Sequence, residues 1–190
     1  MHQRKRNPQI IMVFSALFAI IFTLAPVLAA QENEHVVEVK SALAKDAVRP
    51  GETFKAAVIL RVQAGYHIND NAPLDEFMFP TTVSIEDSPE FEVVEVYYPT
   101  GRRARYPYSE TELVVYDGEA VVGVLLKAKE GLALGAKTLK ATLSYQACDN
   151  TSCLPPKELV FEIAVPVAKA GGADIHPEIF GKLRFKSLQK

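Results

Sequence analysis

The sequence predicts an all-β domain, specifically an immunoglobulin-like antiparallel β-sandwich, preceded by a signal peptide and followed by a short tail. Eight or nine short runs of alternating apolar and polar residues follow one another, with turn signals between them. No segment between them shows a convincing amphipathic helical pattern. Many short strands at regular spacing are typical of two antiparallel sheets packed face to face.

The first thirty residues have a different character. Three basic residues at positions 4–6 precede an almost wholly apolar run from Ile10 to Leu24, and Pro26 and several small residues follow. This is the pattern of a secretory signal peptide, which we assign to residues 1–30. An uncleaved membrane anchor is the alternative, because the apolar run is long enough to span a bilayer.

The rest of the chain fits one domain, placed at residues 31–167, with a linker and tail at 168–190. Outside the signal peptide, 18 basic residues face 23 acidic ones, which gives a net charge of about −5. The absence of a basic stripe in the sequence argues against a nucleic-acid partner. Because no second apolar run of spanning length follows, we expect no tight membrane association once the signal is cleaved. Export places the cysteines in an oxidising compartment, where a disulfide is the default state.

The first strand is expected at His35–Lys40, and the turn signal Pro50-Gly51 follows it. From Phe54 to Val62 the residues alternate with period two, which indicates a strand with one face on the core. Residues 65–73 form a polar and aromatic segment that ends in a turn.

The later strands, separated by turn signals, are expected at Pro80–Glu86, Phe91–Tyr98, Leu113–Tyr116, Ala120–Lys129, Lys137–Ala147 and Glu158–Val167. Asp117-Gly118 is a hairpin signal between two of them. Residues 102–110 are predicted to form a basic loop that contains tyrosines. At the end of the chain, apolar residues from Ile179 to Leu188 have helix-like spacing, and the sequence leaves a short helix and a loosely held tail both open.

The stretch Tyr145–Pro156 contains both cysteines of the protein, Cys148 and Cys153, with four residues between them. A predicted strand precedes it and another follows, so the two sulfurs are expected near the tip of a strand connection, close enough to bridge. The two prolines after Cys153 stiffen that side of the loop. If the preceding strand runs on, Cys148 falls with Gln146 on its polar side. The apolar side consists of Leu139, Ala141, Leu143, Tyr145 and Ala147.

Spacing alone leaves two interpretations of the cysteine pair open. A purely structural bridge over so short a loop stabilises a domain by only about 2 kcal/mol in the chain-entropy model. A local pair at an accessible strand end is better suited to thiol–disulfide exchange, since a thiolate must approach along the sulfur–sulfur axis. A copper or zinc site built with His67 is disfavoured, because the sequence has no second Cys-x-x-Cys and no methionine cluster. We therefore expect no metal and no cofactor.

The cysteine stretch resembles the Tyr-Gln-x-Cys…Cys-x-Pro-Pro signature of the N-terminal periplasmic domain of the thiol:disulfide interchange protein DsbD. Residues 65–73, Gly-Tyr-His-Ile-Asn-Asp-Asn-Ala-Pro, are similar to the Gly-aromatic segment upstream in that family, and residues 74–81 also fit its pattern. The resemblance runs from about His35 to Val167.

The resemblance implies an immunoglobulin-like fold and a periplasmic role in electron relay. A membrane-embedded thiol donor would reduce Cys148 and Cys153, and the pair would pass the electrons to periplasmic thioredoxin-fold proteins, including disulfide isomerases and cytochrome c maturation factors. By the same resemblance, Cys148 forms the mixed disulfide with partners, and Tyr66, His67 and Asn69 line the site. The chain would serve a protein-disulfide reductase system. The sequence lacks the family's membrane-spanning and thioredoxin-like portions, so the chain is expected either to act in trans or to have kept the scaffold and changed its function.

The sequence departs from the family at the cap loop, whose aromatic side chain shields the disulfide there. The family's Asp-Glu-Phe-aromatic-Gly form is absent at the corresponding loop, Arg102–Glu110, so Tyr106 or Tyr108 is the candidate shield. Two surface tyrosines beside Pro107 are the alternative.

The sequence also leaves two interpretations open for the histidine, for the arginines of the loop and for the function of the domain. His67 fits a hydrogen-bonded packing residue as well as an acid–base group. Arg102, Arg103 and Arg105 fit a solvated loop, or a positive field that lowers a thiol pKa. For the whole domain, the competing function is a non-enzymatic binding or adaptor module with a structural disulfide.

Overall fold

The computed structural model describes residues 36–189, which form an almost entirely β structure. In order along the chain, the strands are β1 (Val37–Leu43), β2 (Thr53–Val62), β3 (His67–Asn69), β4 (Thr82–Ile85), β5 (Phe91–Tyr97), β6 (Arg102–Ala104), β7 (Leu113–Tyr116), β8 (Glu119–Ala128), β9 (Gly135–Tyr145), β10 (Ala147–Cys148) and β11 (Lys157–Val167). One short helix, α1 (Pro177–Phe180), and a 3₁₀ turn (Lys186–Leu188) follow. The assigned signal peptide lies outside the described residues.

Two antiparallel sheets enclose the main core. The first sheet has the strand order β1-β2-β8-β5 and the second the order β11-β9-β4. A single cluster of buried side chains joins them, with Val58 and Val124 from the first sheet and Leu143 and Val165 from the second. Because the two sheets bury their apolar faces against each other, the predicted all-β, immunoglobulin-like antiparallel sandwich is confirmed.

The predicted face assignment of β9 is also confirmed. Leu139, Ala141, Leu143 and Tyr145 are each at most 2% exposed, and Lys140 between them is exposed. β11 pairs with β9 over its whole length, from Lys157 opposite Tyr145 to Val167 opposite Gly135. The period-two pattern therefore fixes the register, since a slip by one residue would turn every apolar side chain out of the core.

A third, smaller sheet has the order β10-β3-β7-β6. Three of its four strands were not expected from the sequence: β3 lies inside the predicted polar and aromatic segment, β6 at the start of the predicted loop, and β10 beyond the end of β9. Each has only two or three residues. This sheet carries Cys148 and His67, so we refer to it below as the site sheet.

The C-terminal segment packs on the outer face of the first sheet. Phe180, Leu183 and Phe185 are buried there against Ala57 and Leu125, in a cluster separate from the main core. The carboxylate of Glu95 on β5 also accepts hydrogen bonds from the backbone N–H groups of residues 186 and 187 and from the Ser187 hydroxyl. The segment thus forms part of the described domain.

Gly123 on β8 makes this close approach possible. A Cβ atom at Gly123 would lie 2.7 Å from the Phe185 ring and 2.9 Å from Leu183 Cδ1. We expect Gly123→Val to displace the C-terminal segment and to lower the free energy of unfolding by about 1–3 kcal/mol, as overpacking typically does. Urea titration and limited proteolysis of the C-terminus measure both effects.

Gly131→Val is the matched control, because a Cβ atom there meets nothing within 4 Å. It should leave the C-terminal segment protected. Equal proteolysis of the two variants would contradict the proposed role of Gly123.

None of the helices formed by residues 36–189 has the length and apolar character needed to cross a membrane.

Candidate functional site

Cys148 and Cys153 form a disulfide that closes a narrow turn. The two Cα atoms are 3.9 Å apart, and the residues face each other across an isolated antiparallel bridge. The Leu154 N–H donates to the Ala147 carbonyl at 2.8 Å, and the side chain of Gln146 donates to the Leu154 carbonyl at 3.0 Å. The predicted position of the pair, at the tip of a connection between two long strands, is therefore confirmed.

The two cysteines differ in their exposure to solvent. Cys148 is fully buried, whereas Cys153 is exposed. The expectation that Cys148 shares the polar side of the strand with Gln146 is wrong. β9 ends at Tyr145 and the chain then pairs with β3 of the site sheet, so Ala147 and Cys148 are both buried and the alternation is lost.

The turn between the cysteines is organised by Asp149. Its Oδ1 atom accepts hydrogen bonds from the Thr151 N–H and hydroxyl, both at 2.7 Å, and from the Ser152 N–H at 2.8 Å. The hydrogen bonds from Thr151, followed by that from Ser152, hold the pKa of this carboxyl below its usual range. Asp149 thus keeps the turn in one shape and stays ionised above pH 4.

Sequence reasoning did not single out Asp149 as a functional residue. The sequence does contain a pattern that could have identified it, because an aspartate followed two residues later by a threonine favours an Asx-turn.

His67 lies directly opposite Cys148 in the ladder between β3 and β10. Opposed residues of an antiparallel pair project to the same face, with Cβ atoms about 5 Å apart. The imidazole is only 3% exposed. Burial, assisted by the charge of Arg102, lowers the pKa of His67, which favours its neutral form.

The two tyrosines of the cap loop cover His67. The Tyr106 ring stacks on the imidazole with a centroid distance of 3.9 Å, and the Tyr108 hydroxyl lies 2.6 Å from His67 Nε2. Burial, with the nearby Tyr106 and Asp149, raises the pKa of Tyr108 to about 12, so its phenol stays neutral at physiological pH. Both rings are half-buried against His67, which disfavours two free surface side chains, and their shielding of the disulfide stays a prediction.

Two ion pairs tie down the base of the cap loop. Arg102 binds the carboxylate of Asp117 through two nitrogens and also donates to the Tyr106 hydroxyl at 3.4 Å. Arg103 donates to Glu112 at 2.9 Å. Arg102 thus supports the ring that stacks on His67, while Arg105 is an exposed loop residue.

Two other residues that were expected to line the site, Asn69 and Tyr66, make contacts elsewhere in the domain. Asn69 is buried two residues after His67 on β3, and its side-chain amide donates a hydrogen bond to the Phe79 carbonyl at 3.0 Å. It therefore holds the loop that follows β3. Tyr66 is half-buried and packs against the main core.

A shallow groove of about 500 Å³ runs alongside His67. Its lining comes from three segments: the turn before β3, the cap loop with the β7–β8 turn, and the cysteine turn. The lining residues include Gln63, Gly65, Tyr106, Asp117 and Asn150. The groove leads from the cysteine turn past the cap loop. Within residues 36–189, no group of three or more His, Cys, Asp or Glu side chains could hold a metal ion.

A model of a known protein family, described as "Thiol:disulfide interchange protein DsbD, N-terminal", matches residues 33–165. The chain belongs to this family. The resemblance seen in the cysteine stretch and in the Gly-aromatic segment is thereby confirmed. Membership, together with the Cys148–Cys153 disulfide, supports thiol–disulfide exchange as the general chemistry and redox partners as the general class of partner. The N-terminal domains of DsbD are periplasmic.

Several solved structures are similar to this chain, among them two N-terminal domains. The N-terminal domain of Neisseria meningitidis DsbD in the reduced form is 19% identical, with 67% of this chain and 85% of that chain covered and a TM-score of 0.43. The N-terminal periplasmic domain of ScsB from Proteus mirabilis is 13% identical, with coverages of 73% and 48% and a TM-score of 0.44. The chain spans about half the length of the second protein. No curated protein matches it.

Proposed function

We propose that this domain is a periplasmic dithiol/disulfide relay module. It accepts two electrons from a membrane-embedded thiol donor and passes them to thioredoxin-fold proteins, in support of protein-disulfide reduction and cytochrome c maturation. The observation that carries the proposal is a local disulfide between one exposed and one buried cysteine, on a β-sandwich and next to a histidine that an aromatic loop covers. A bridge of this kind can open without disturbing the core, because no strand of the two main sheets depends on it.

The unequal exposure of the cysteines supports one order of the steps. A thiolate of the donor attacks the exposed Cys153 sulfur, the Cys148–Cys153 bond breaks, and Cys148 leaves as a thiolate. A second donor thiolate then attacks the donor sulfur of the mixed disulfide and releases Cys153. Two electrons have then moved to the domain, and the donor has become a disulfide.

Transfer to an acceptor is the reverse sequence. Cys153 attacks the acceptor disulfide, and Cys148 then attacks Cys153 and releases the reduced acceptor. This assignment exchanges the roles that the family resemblance implied, in which Cys148 forms the mixed disulfide. It is supported by the full burial of Cys148, which denies a large partner access to that sulfur unless the cap loop moves.

The test is a direct transfer experiment. Reduced domain is mixed with an oxidised thioredoxin-fold protein, and the redox state of both proteins is followed by alkylation and mass shift. We expect one disulfide to appear in the domain for each acceptor reduced. The variant with Cys148→Ser and Cys153→Ser is the control and should transfer nothing.

A domain that stays reduced beside an oxidised acceptor would count against the relay. If the doubly substituted variant still bound partners with unchanged affinity, the adaptor function would replace it.

A further inference from the structure

The relay mechanism requires a proton to move at a sulfur that water does not reach. When Cys153 is attacked, the leaving thiolate is Cys148, which is fully buried in the oxidised protein. An uncompensated charge in such a place is costly, so the thiolate needs either a partner cation or a proton. Cys153 has no such requirement, because it is exposed and can exchange its proton with solvent.

We propose that His67 is the proton carrier for Cys148. Its side chain lies on the same face of the site sheet as that of Cys148, directly opposite it in the β3–β10 ladder. Both residues are buried, and the Tyr106 ring of the cap loop stacks on His67. This inference rests on the proposed relay and adds the group that handles its buried proton.

The other titratable groups around His67 are poorly suited to this task. The Tyr108 phenol, with a pKa raised to about 12, holds its proton at neutral pH. Asp149 accepts three hydrogen bonds within its own turn, and Asp117 is paired with Arg102. Neutral His67, in contrast, can keep its proton on Nε2, which faces the Tyr108 hydroxyl, and use the Nδ1 lone pair to take the proton of Cys148.

Tyr108 acts as a positioning residue for this histidine. With its proton on Nε2, His67 donates to the Tyr108 oxygen both as the neutral ring and as the imidazolium, so the 2.6 Å contact survives a change in protonation at Nδ1. The Tyr106 ring, stacked at 3.9 Å, favours an imidazolium through its π face. Both contacts keep the ring in place while its charge changes.

The proton balance of the two directions is complete. In acceptor reduction, His67 takes the proton of the Cys148 thiol, and the resulting thiolate attacks Cys153, re-forms the disulfide and expels the acceptor thiolate. His67 then gives its proton to solvent or to that leaving sulfur. In reduction of the domain, His67 takes a proton from the attacking donor thiol or from solvent and gives it to the leaving Cys148 thiolate.

A two-phase reaction with 5,5′-dithiobis(2-nitrobenzoate) separates the two sulfurs. The reduced protein should release one equivalent of nitrothiobenzoate when Cys153 attacks the reagent, and a second equivalent when Cys148 attacks the mixed disulfide. The Cys148→Ser variant identifies the first phase, because it should show that phase alone.

In His67→Gln we expect the rate of the second phase to fall at least tenfold at pH 7. This is a lower limit, because a general base typically accelerates a reaction by a factor of about 10²–10⁴. The rate of the second phase in this variant should still be rising at about pH 8.5, where an ordinary thiol is half ionised, whereas the wild-type rate should already be close to its plateau at neutral pH. His176→Gln is the matched control, since His176 is exposed on the C-terminal segment, and it should leave both phases unchanged.

The outcomes separate the two proposals. A second phase in His67→Gln that keeps its rate and its pH profile, or becomes faster because the cap loop has loosened, would overturn the proton-carrier role and leave the relay intact. Reduced wild-type protein that shows neither phase would overturn the relay itself, and the proton carrier with it.

Discussion

Replacing Cys148 with serine should convert the domain into a trap for its redox partners. Cys153 remains exposed and can still form a mixed disulfide, but the sulfur that resolves it is gone. We expect covalent complexes with thioredoxin-fold proteins to accumulate, at least tenfold above the wild-type level, because their decay now depends on external thiols. Non-reducing electrophoresis of periplasmic extracts, followed by mass spectrometry, measures the yield.

The matched control is Cys153→Ser. It retains the buried Cys148 beneath the cap loop, so the yield of trapped partner should be close to that of the variant lacking both cysteines. Efficient trapping by Cys153→Ser, with little by Cys148→Ser, would show that Cys148 is the attacking sulfur, as the family resemblance implied. The comparison therefore decides the order of the two cysteines in the relay.

The cap loop provides the second large effect. Substituting both Tyr106 and Tyr108 with alanine removes the ring stacked on His67 and the hydroxyl that holds its Nε2 atom. We expect reduction of the disulfide by dithiothreitol to become about thirtyfold faster, because opening the loop no longer costs the roughly 1 kcal/mol that each of these two contacts contributes. Stopped-flow quenching with an alkylating reagent gives the rate.

Tyr97→Ala is the control for a general loss of rigidity. Tyr97 packs against Phe185 in the C-terminal cluster, so its removal loosens a different part of the domain. The reduction rate should stay near that of the wild type. An equal acceleration in the two variants would mean that the tyrosines of the cap loop do not act as a specific cover.

The long strands could be predicted from the sequence because each covers several periods of alternation. β9 and β11 have eleven residues each, and burial alternates with period two from Lys137 onward in β9 and throughout β11. Because one face of such a strand must be buried, its register is strongly specified. The sandwich and its core follow from strands of this kind.

The site sheet could not be predicted by the same reasoning. β3, β6 and β10 have two or three residues, too few to show any period, and their pairing is decided by contacts with distant segments. The burial of Cys148 follows from the pairing of β10 with β3, which is why extending the β9 pattern placed this cysteine on the wrong side. The cysteine motif nevertheless marked the correct turn, because its chemistry does not depend on strand length.

The cap loop could be predicted only in part. Its position in the chain came from the family resemblance, and its tyrosines were the candidates for the shield. The stack on His67 and the support of Tyr106 by Arg102 and Asp117 depend on the fold of the site sheet. Spacing in the sequence carries no information about such contacts between segments.

The most direct test of the account is the reduction potential of the Cys148–Cys153 pair, measured by equilibration of the domain with glutathione buffers or a reference dithiol. Thioredoxin and related exchange proteins have potentials between about −270 and −120 mV, whereas inert structural disulfides typically lie below about −300 mV. We predict a value above −300 mV, within reach of thioredoxin-fold partners. A value well below that limit, in a correctly folded protein, would contradict the relay function.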